Sequence, residues 1–181
     1  MPTSYLFQDV KRYIKPNRNK IKLILFNPSF RFMFTFRGCQ HFSKFNVIGI
    51  IFRIWNKNLQ GKYGFQFQHT TKIGKGFYMP HYGNIVINNQ ALIGNNCNVS
   101  QGVTIGNIKR GKSIGNPIIG NKVSIGANAV VVGNIKIGND VLIAPLTFVN
   151  FDVPDNAVVA GNPAIIINYN TSNGYIENAI D

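Results

Sequence analysis

IVINNQALIGNNCNVSQGVTIG, residues 85–106, and PIIGNKVSIGANAVVVGNIKIGNDVLIAPLTFV, residues 117–149, decide the fold of this 181-residue chain. Aliphatic residues recur at every sixth position: Ile87, Ile93, Val99 and Ile105, then Ile119, Ile125, Val131, Ile137, Ile143 and Val149. Two places before each stands a mostly small or β-branched residue, among them Ala91, Cys97, Val103, Val123, Ala129 and Thr147. Glycine follows many of the aliphatics, as at Gly94, Gly106, Gly120, Gly126 and Gly138. A helix asks for apolar residues every three or four places, and an amphipathic strand asks for one every two. A strict period of six with Gly and Asn in the gaps is a repeat signature. Each unit reads as one short strand and one tight turn. The aliphatic points inward, the small residue fits a crowded corner, and Gly or Asn takes the left-handed backbone that the corner needs.

Working outward, the rest of the chain differs in kind. Hydrophobic residues make up 45% of the sequence, enough for a substantial core, and charged residues only 14%. Residues 1–62 lack the six-residue period and are rich in Phe, Ile, Lys and Arg. Pro16, Pro28 and Gly38 punctuate this segment, and Gly61 and Gly64 close it. The pattern predicts two or three short helices, near Tyr5–Ile14, Pro28–His41 and Phe45–Leu59. Asn27 before Pro28 reads as an N-cap followed by a first-turn proline. The organisation expected is therefore a basic helical segment at 1–62, a repeat domain at 63–167 and a polar, loose tail at 168–181.

Charge follows the same division. Residues 1–75 hold 14 Lys and Arg against one acid, Asp9, so the whole formal charge of +13 lies there. The repeat body is neutral. Packing of the aromatics between copies, with Lys and Arg left in water, is the plainest use of a basic Phe-rich cap. Peripheral contact with anionic membrane lipid is a second reading. Nucleic acid is not expected, because no recognition motif accompanies the charge. The run FNVIGIIFRIWNKNL is too short and too interrupted to span a bilayer. Two cysteines, Cys39 and Cys97, make no disulfide framework, and the first residues show no apolar signal core, so a cytoplasmic protein is expected.

One place in the repeat carries chemistry. Ile73 to Ile87 is fourteen residues rather than twelve, and the extra two fall near Met79-Pro80-His81-Tyr82-Gly83-Asn84. A break leaves side chains where the core cannot absorb them, and His81 sits in it.

The run from Lys72 to Ala164 resembles the hexapeptide-repeat acyltransferases, in particular the serine O-acetyltransferase-like branch found in polysaccharide biosynthesis. The resemblance implies a mainly β fold, a left-handed parallel β-helix with an N-terminal helical segment, assembled as a homotrimer. Handedness comes from the resemblance alone, since right-handed crossovers are the general rule. In that family the stretch matching Lys72-Ile73-Gly74-Lys75-Gly76-Phe77 leads to a catalytic histidine, and His81 occupies its place. The resemblance implies that His81 is a general base for direct transfer from acetyl-CoA to a hydroxyl, with no acyl-enzyme and no metal. The family's partner carboxylate, fifteen residues earlier, is Gln66 here. An uncharged orienter such as Gln66 is favoured, with Asp140 or another acid reaching across coils or subunits as the alternative. Ala127 and Ala144-Pro145 match residues whose backbone lines the pantetheine arm, with Gly106, Gly126 and Lys122 assigned to the same cofactor.

The acceptor positions depart from the family. Serine acetyltransferases carry Asp before the catalytic histidine and an Arg-His pair in the later loop; here stand Pro80 and Gly115-Asn116. That points to a neutral acceptor, a sugar or polysaccharide precursor, held by Tyr82, Asn84, Asn116 and the loop cation Arg110. Serine O-acetyltransfer and a non-catalytic trimeric scaffold are the alternatives. The resemblance's end motif appears at Gly161-Asn162-Pro163-Ala164, but Ile165 stands where a basic residue often follows. The chain ends Ile180-Asp181 rather than in isoleucine, so no complex with cysteine synthase is expected. A zinc hydratase of this fold needs clustered histidines, and the spacing of His41, His69 and His81 does not support one.

Overall fold

The computed structural model describes residues 2–14 and 26–180. Three helices come first: α1 (Pro2–Tyr13), α2 (Pro28–His41) and α3 (Val47–Tyr63). The Asn27 side chain accepts from the Phe30 N–H at 2.9 Å, with Pro28 in the first turn, so the N-cap stands where the sequence puts it. Asn46 caps α3 in the same way through the Ile48 N–H, and Gly64 ends it in the left-handed conformation, φ 73°. Pro16 lies outside the described residues.

Among the described residues fourteen short strands follow: β1 (Phe65–Gln66), β2 (Lys72–Ile73), β3 (Ile85–Ile87), β4 (Leu92–Ile93), β5 (Asn98–Val99), β6 (Thr104–Gly106), β7 (Ile118–Ile119), β8 (Ser124–Ile125), β9 (Val130–Val132), β10 (Lys136–Ile137), β11 (Leu142–Ile143), β12 (Phe148–Val149), β13 (Val158–Ala160) and β14 (Ile165–Asn168). They form three sheets, ordered β1-β3-β6-β9-β12, β2-β4-β7-β10 and β5-β8-β11-β13-β14. All neighbours are parallel except β13 and β14. Every third strand returns to the same sheet, which is a parallel β-helix of triangular section.

Register puts the period-six residues on top of one another. Ile87, Ile105, Val131 and Val149 stack on the first face, and Ile73, Ile93, Ile119 and Ile137 on the second. Val99, Ile125, Ile143 and Val159 stack on the third. All are buried, several completely. Each contributes roughly 1.5–3 kcal/mol of burial free energy.

Coil length varies where the sequence breaks its period. Phe65 pairs with Ile85, twenty residues on, and Ile87 with Ile105, eighteen on. The two extra residues of the first coil lie between Tyr78, which bridges to Asn98, and β3. Ile105 pairs with Val131, twenty-six on, because residues 107–116 leave the coil as a loop pinned by a mutual Ile108–Gly115 backbone pair.

The three edges between faces have their own order. On the edge from second to third face, left-handed residues recur at Gly76, Asn96, Lys122, Asp140 and Asn156. Beside them runs a ladder in which the Asn95, Asn121, Asn139 and Asp155 side chains accept from the backbone N–H of Lys75, Asn95, Asn121 and Asn139. On the edge from third to first face the left-handed positions are Asn84, Gly102, Asn128 and Leu146.

Two expectations are corrected. The tail is not loose. It turns back along the second-to-third edge: Thr171 N–H donates to Asn156, Ser172 N–H to Asp140, and Ser172 Oγ to Lys122. Further on, Asn98 Nδ2 donates to Tyr175 O and Asn96 bonds the backbone of Ile180 in both directions. Backbone hydrogen-bonding capacity decides this, and a polar composition hides it. Nor do the cap cations all sit in water. Arg12 and Arg37 are buried, and Arg37 Nε donates to Asp9 at 2.8 Å. Asp9 in turn accepts from the Gly76 and Phe77 N–H groups, which ties α1 to the first coil.

Candidate active site

The corner at residues 79–84 is built from both parts of the chain. Met79 is buried and its N–H donates to the Tyr13 hydroxyl at 3.1 Å. Burial raises the Tyr13 phenol pKa far above its ordinary value, which keeps that hydroxyl neutral. Beyond the turn, the Gly83 carbonyl accepts from Gly102 N–H of the next coil. The C-cap of α3 presses on the same corner: a Cβ at Gly64 would meet Asn84 Oδ1 at 2.6 Å. Tyr82, 54% exposed, sets its ring edge-on to Tyr63 at 5.2 Å. The polypeptide on either side is thus fixed, and His81 projects into solvent between the fixed points.

Other expected site residues lie on the same third-to-first edge. Asn128 N–H donates to Gln101 and Leu146 N–H to Ala127, so the corner holding His81 continues down the axis into Ala127 and then Ala144-Pro145. Gly126 is needed there, since a Cβ would lie 2.5 Å from Pro145 N and 2.8 Å from the Ala144 carbonyl carbon. A backbone stacked this closely, flanked by the small side chains of Ala127, Ala144 and Pro145, offers a shallow strip. Gln66 stands exposed on β1 beside Val86 of β3, and shares a cleft of about 630 Å³ with Asn84, Gln60 and Gln68.

The remaining expected residues lie on other edges. Gly106 opens the loop between the first and second faces, which also carries Arg110 and Asn116. Asn116 donates to Gln90 at 2.9 Å on that edge. Lys122 occupies a left-handed corner, φ 55°, between the second and third faces, and its carbonyl accepts from the tail. One chain therefore does not bring Arg110, Asn116, Gly106 or Lys122 to His81.

Among the described residues no side chain hydrogen-bonds the His81 imidazole. Within the chain Asp140 is already engaged, accepting from Ser172 Oγ at 2.6 Å. Asp152 accepts from Lys136 N–H and Asp155 from Asn139 N–H. His69 is half-buried on the first-to-second edge, where burial and then Arg53 hold its pKa below the ordinary value. His41 lies exposed at the end of α2. No group of three or more His, Cys, Asp and Glu among the described residues is placed to hold a metal ion. Burial pushes the Cys97 thiol up to about 12, as suits a packed corner residue.

The sequence reading missed Asp9, Tyr13 and Arg12. All three are on α1, whose packing on the first coil joins residues more than sixty positions apart. Their i, i+3 and i+4 spacing marks one helix face, and a lone acid in a basic segment was the signal available.

Similarity to known proteins fits this geometry. Residues 116–150 match the family described as bacterial transferase hexapeptide (six repeats). The chain is 36% identical over 107 residues to serine acetyltransferase 4 of Arabidopsis thaliana, covering 59% of this chain and 30% of that protein. It is 29% identical over 163 residues to the serine acetyltransferase of Helicobacter pylori strain 26695, covering 89% and 94%. Among solved structures, Neisseria gonorrhoeae serine acetyltransferase in complex with serine superposes with a TM-score of 0.75 at 27% identity, over 92% of this chain and 69% of that one. Brucella abortus serine acetyltransferase in complex with coenzyme A gives 0.77 at 25%, over 92% and 68%. The chain spans about a third of the length of the first plant relatives, 30% and 32%. The chain folds as a left-handed parallel β-helix with an N-terminal helical cap, and it is similar to hexapeptide-repeat transferases over residues 116–150 and to serine acetyltransferases over most of its length.

Proposed function

We propose that this chain is an acetyl-CoA-dependent O-acetyltransferase with His81 as general base. The observation that carries the reading is the edge geometry: an exposed histidine on a rigidly held corner, in line with the shallow strip at Gly126-Ala127 and Ala144-Pro145. The strip suits the thin pantetheine arm of the co-substrate, and its end lies toward the histidine. The imidazole takes the proton of the acceptor hydroxyl as that oxygen attacks the thioester carbonyl carbon. The tetrahedral adduct collapses, the C–S bond breaks, and the imidazolium returns the proton to the departing thiolate. Products are the O-acetyl ester and free CoA.

L-Serine is the acceptor favoured by the relatives named above, which are serine acetyltransferases. A sugar hydroxyl is the second reading, and it rests on Pro80 and Gly115-Asn116, which supply neither charge that a zwitterion needs. Arg110, Asn116, Gly106 and Lys122 lie on edges away from His81, so a complete site requires edges from neighbouring copies. A homotrimer meets that requirement. No helix among the described residues is long and apolar enough to cross a membrane. Contact with anionic lipid would rest on the exposed Val47, Ile48, Ile51 and Ile54 of α3. Absence of co-sedimentation with anionic vesicles at low salt removes that contact.

Product identification by mass spectrometry tests the acceptor. Acetyl-CoA is offered with L-serine and, separately, with a panel of neutral sugars. O-Acetylserine as the main product supports the first reading; acetyl-sugar with no O-acetylserine replaces it with the second.

A further inference from the structure

The strip that leads away from His81 ends where the chain has run out of cations. Along the third-to-first edge, Gly102 N–H donates to Gly83 O, Asn128 N–H to Gln101 O and Leu146 N–H to Ala127 O. Below them Phe148 N–H donates to Gly161 O, which seats the final turn, residues 161–164, under the last full coil. Four coil steps thus separate the His81 corner from that turn, roughly 19 Å at about 4.8 Å per step. An extended pantetheine arm, comparable to about five peptide residues, spans roughly 17 Å. A thioester held at His81 therefore places the nucleotide of coenzyme A at the final turn or beyond it.

Positive charge does not reach that far. After Lys136 the sequence has no Lys or Arg and five acids, Asp140, Asp152, Asp155, Glu177 and Asp181. Lys136 itself stands on the second face, and Lys122 on the second-to-third edge. Below Ala144-Pro145 the side chains in the open are apolar: Leu146 is 69% exposed, and Ile165, which opens β14 directly after the final turn, is 61% exposed. The basic helical cap is tied to the first coil, at the other end. A homotrimer does not alter the balance, because a three-fold axis parallel to the β-helix keeps each coil at one height in every copy. The loop cations Lys109, Arg110 and Lys112 leave the coil between β6 and β7, above the Ala127 corner. Their loop therefore starts roughly 10 Å or more above the final turn. Exposed charges that far apart are largely screened at physiological ionic strength.

The 3′-phosphate of coenzyme A carries a charge of about −2 at neutral pH. A site that reads such a group sets Arg or Lys against it. Leu146 and Ile165 instead suit the adenine ring and leave the phosphate in water. We propose that the donor site does not read the 3′-phosphate, so that thioesters of 3′-dephospho-CoA serve as well as those of CoA, and that Ile165 is the position that sets this indifference. The proposal rests on the strip as the seat of the pantetheine arm, the reading of the preceding subsection. The transfer step is unchanged, since the bond broken is the thioester C–S bond at the far end of the donor.

Calorimetric titration of the full chain with CoA and with 3′-dephospho-CoA tests this without catalysis. Affinities equal within about threefold are expected. Ile165→Arg sets a guanidinium at an exposed position beside the phosphate and should make CoA bind about threefold or more tighter than 3′-dephospho-CoA. Values of kcat/KM for acetyl-CoA and acetyl-3′-dephospho-CoA should show the same two ratios. A preference for CoA of about tenfold or more in the unaltered chain overturns the proposal and leaves the activity standing. A folded Ile165→Arg protein that gains no preference overturns the role of Ile165; the comparison on the unaltered chain stands even where the variant fails to fold. Equal binding without acetyl transfer keeps the donor-site proposal and removes the O-acetyltransferase reading. Binding of neither nucleotide overturns both.

Discussion

Asp9→Asn is the most informative single change in the helical cap. Asp9 and Arg37 are each 1% exposed, and the Nε–Oδ2 distance is 2.8 Å. The asparagine keeps one oxygen for the Gly76 and Phe77 N–H groups. Its amide nitrogen then faces Arg37 Nε, donor against donor, and a buried guanidinium loses its counter-charge. Breaking a buried pair from one side costs about 3–5 kcal/mol. Two features place this case at the low end. Arg37 keeps Ile73 O, Gly74 O and Gln40 Oε1 as acceptors. Burial also raises the Asp9 carboxyl pKa in spite of Arg37, so desolvation already offsets much of the attraction. The expected loss is therefore about 3 kcal/mol, or roughly 6–12 °C in melting temperature for a chain of this length. Thermal unfolding followed by circular dichroism measures it. The double variant Asp9→Asn/Arg37→Met should recover part of the loss, since the asparagine oxygen still accepts from Gly76 and Phe77 and no orphan charge remains. A drop below about 2 °C for Asp9→Asn, or a double variant worse than the single, refutes the reasoning.

Further outcomes follow from the corners. Gly126→Ala drives a Cβ into backbone at 2.5 Å and should cost about 1–3 kcal/mol in urea unfolding, whereas Gly106→Ala, whose Cβ meets the Val132 and Thr104 methyls at 3.4 and 3.8 Å, should be nearly silent. Leu146 is 69% exposed at φ 61°, so Leu146→Asn should stabilise by about 0.5–1 kcal/mol, read as a higher urea midpoint. His69 has its pKa lowered from 6.5, so the unfolded chain takes up the proton first. Stability should fall as pH drops from 6.5 through the folded value, and His69→Gln should flatten that part of the profile of midpoint against pH.

Much of the fold can be read along the chain because β-helix contacts repeat locally. The inward aliphatics, the small corner residues and the coil with two extra residues all follow from a period of six, and Asn27-Pro28 marks a helix start. Interactions between distant segments leave no such trace. Arg12 beneath Asn98, Tyr13 against Met79 and Ser172 on Asp140 join residues 86, 66 and 32 positions apart. Polar composition alone suggested a loose tail, yet its backbone finds partners on an edge whose corner residues repeat. The site splits in the same manner. His81 and the Ala127 strip are legible because both sit on corners of one edge. The edge to which Arg110, Asn116 and Lys122 belong depends on the eight residues added to the third coil and on which corner is left-handed, which spacing alone does not reveal.

CoA-thiol release from acetyl-CoA in the presence of L-serine, compared between the unaltered chain and His81→Ala, tests the central claim most directly. Loss of a general base lowers the rate by about 10²–10⁴ while co-substrate binding persists. Serine-dependent release that falls by this factor in a folded His81→Ala protein is the predicted result. Release undiminished by the substitution, or none from the unaltered chain with L-serine or any sugar, contradicts it.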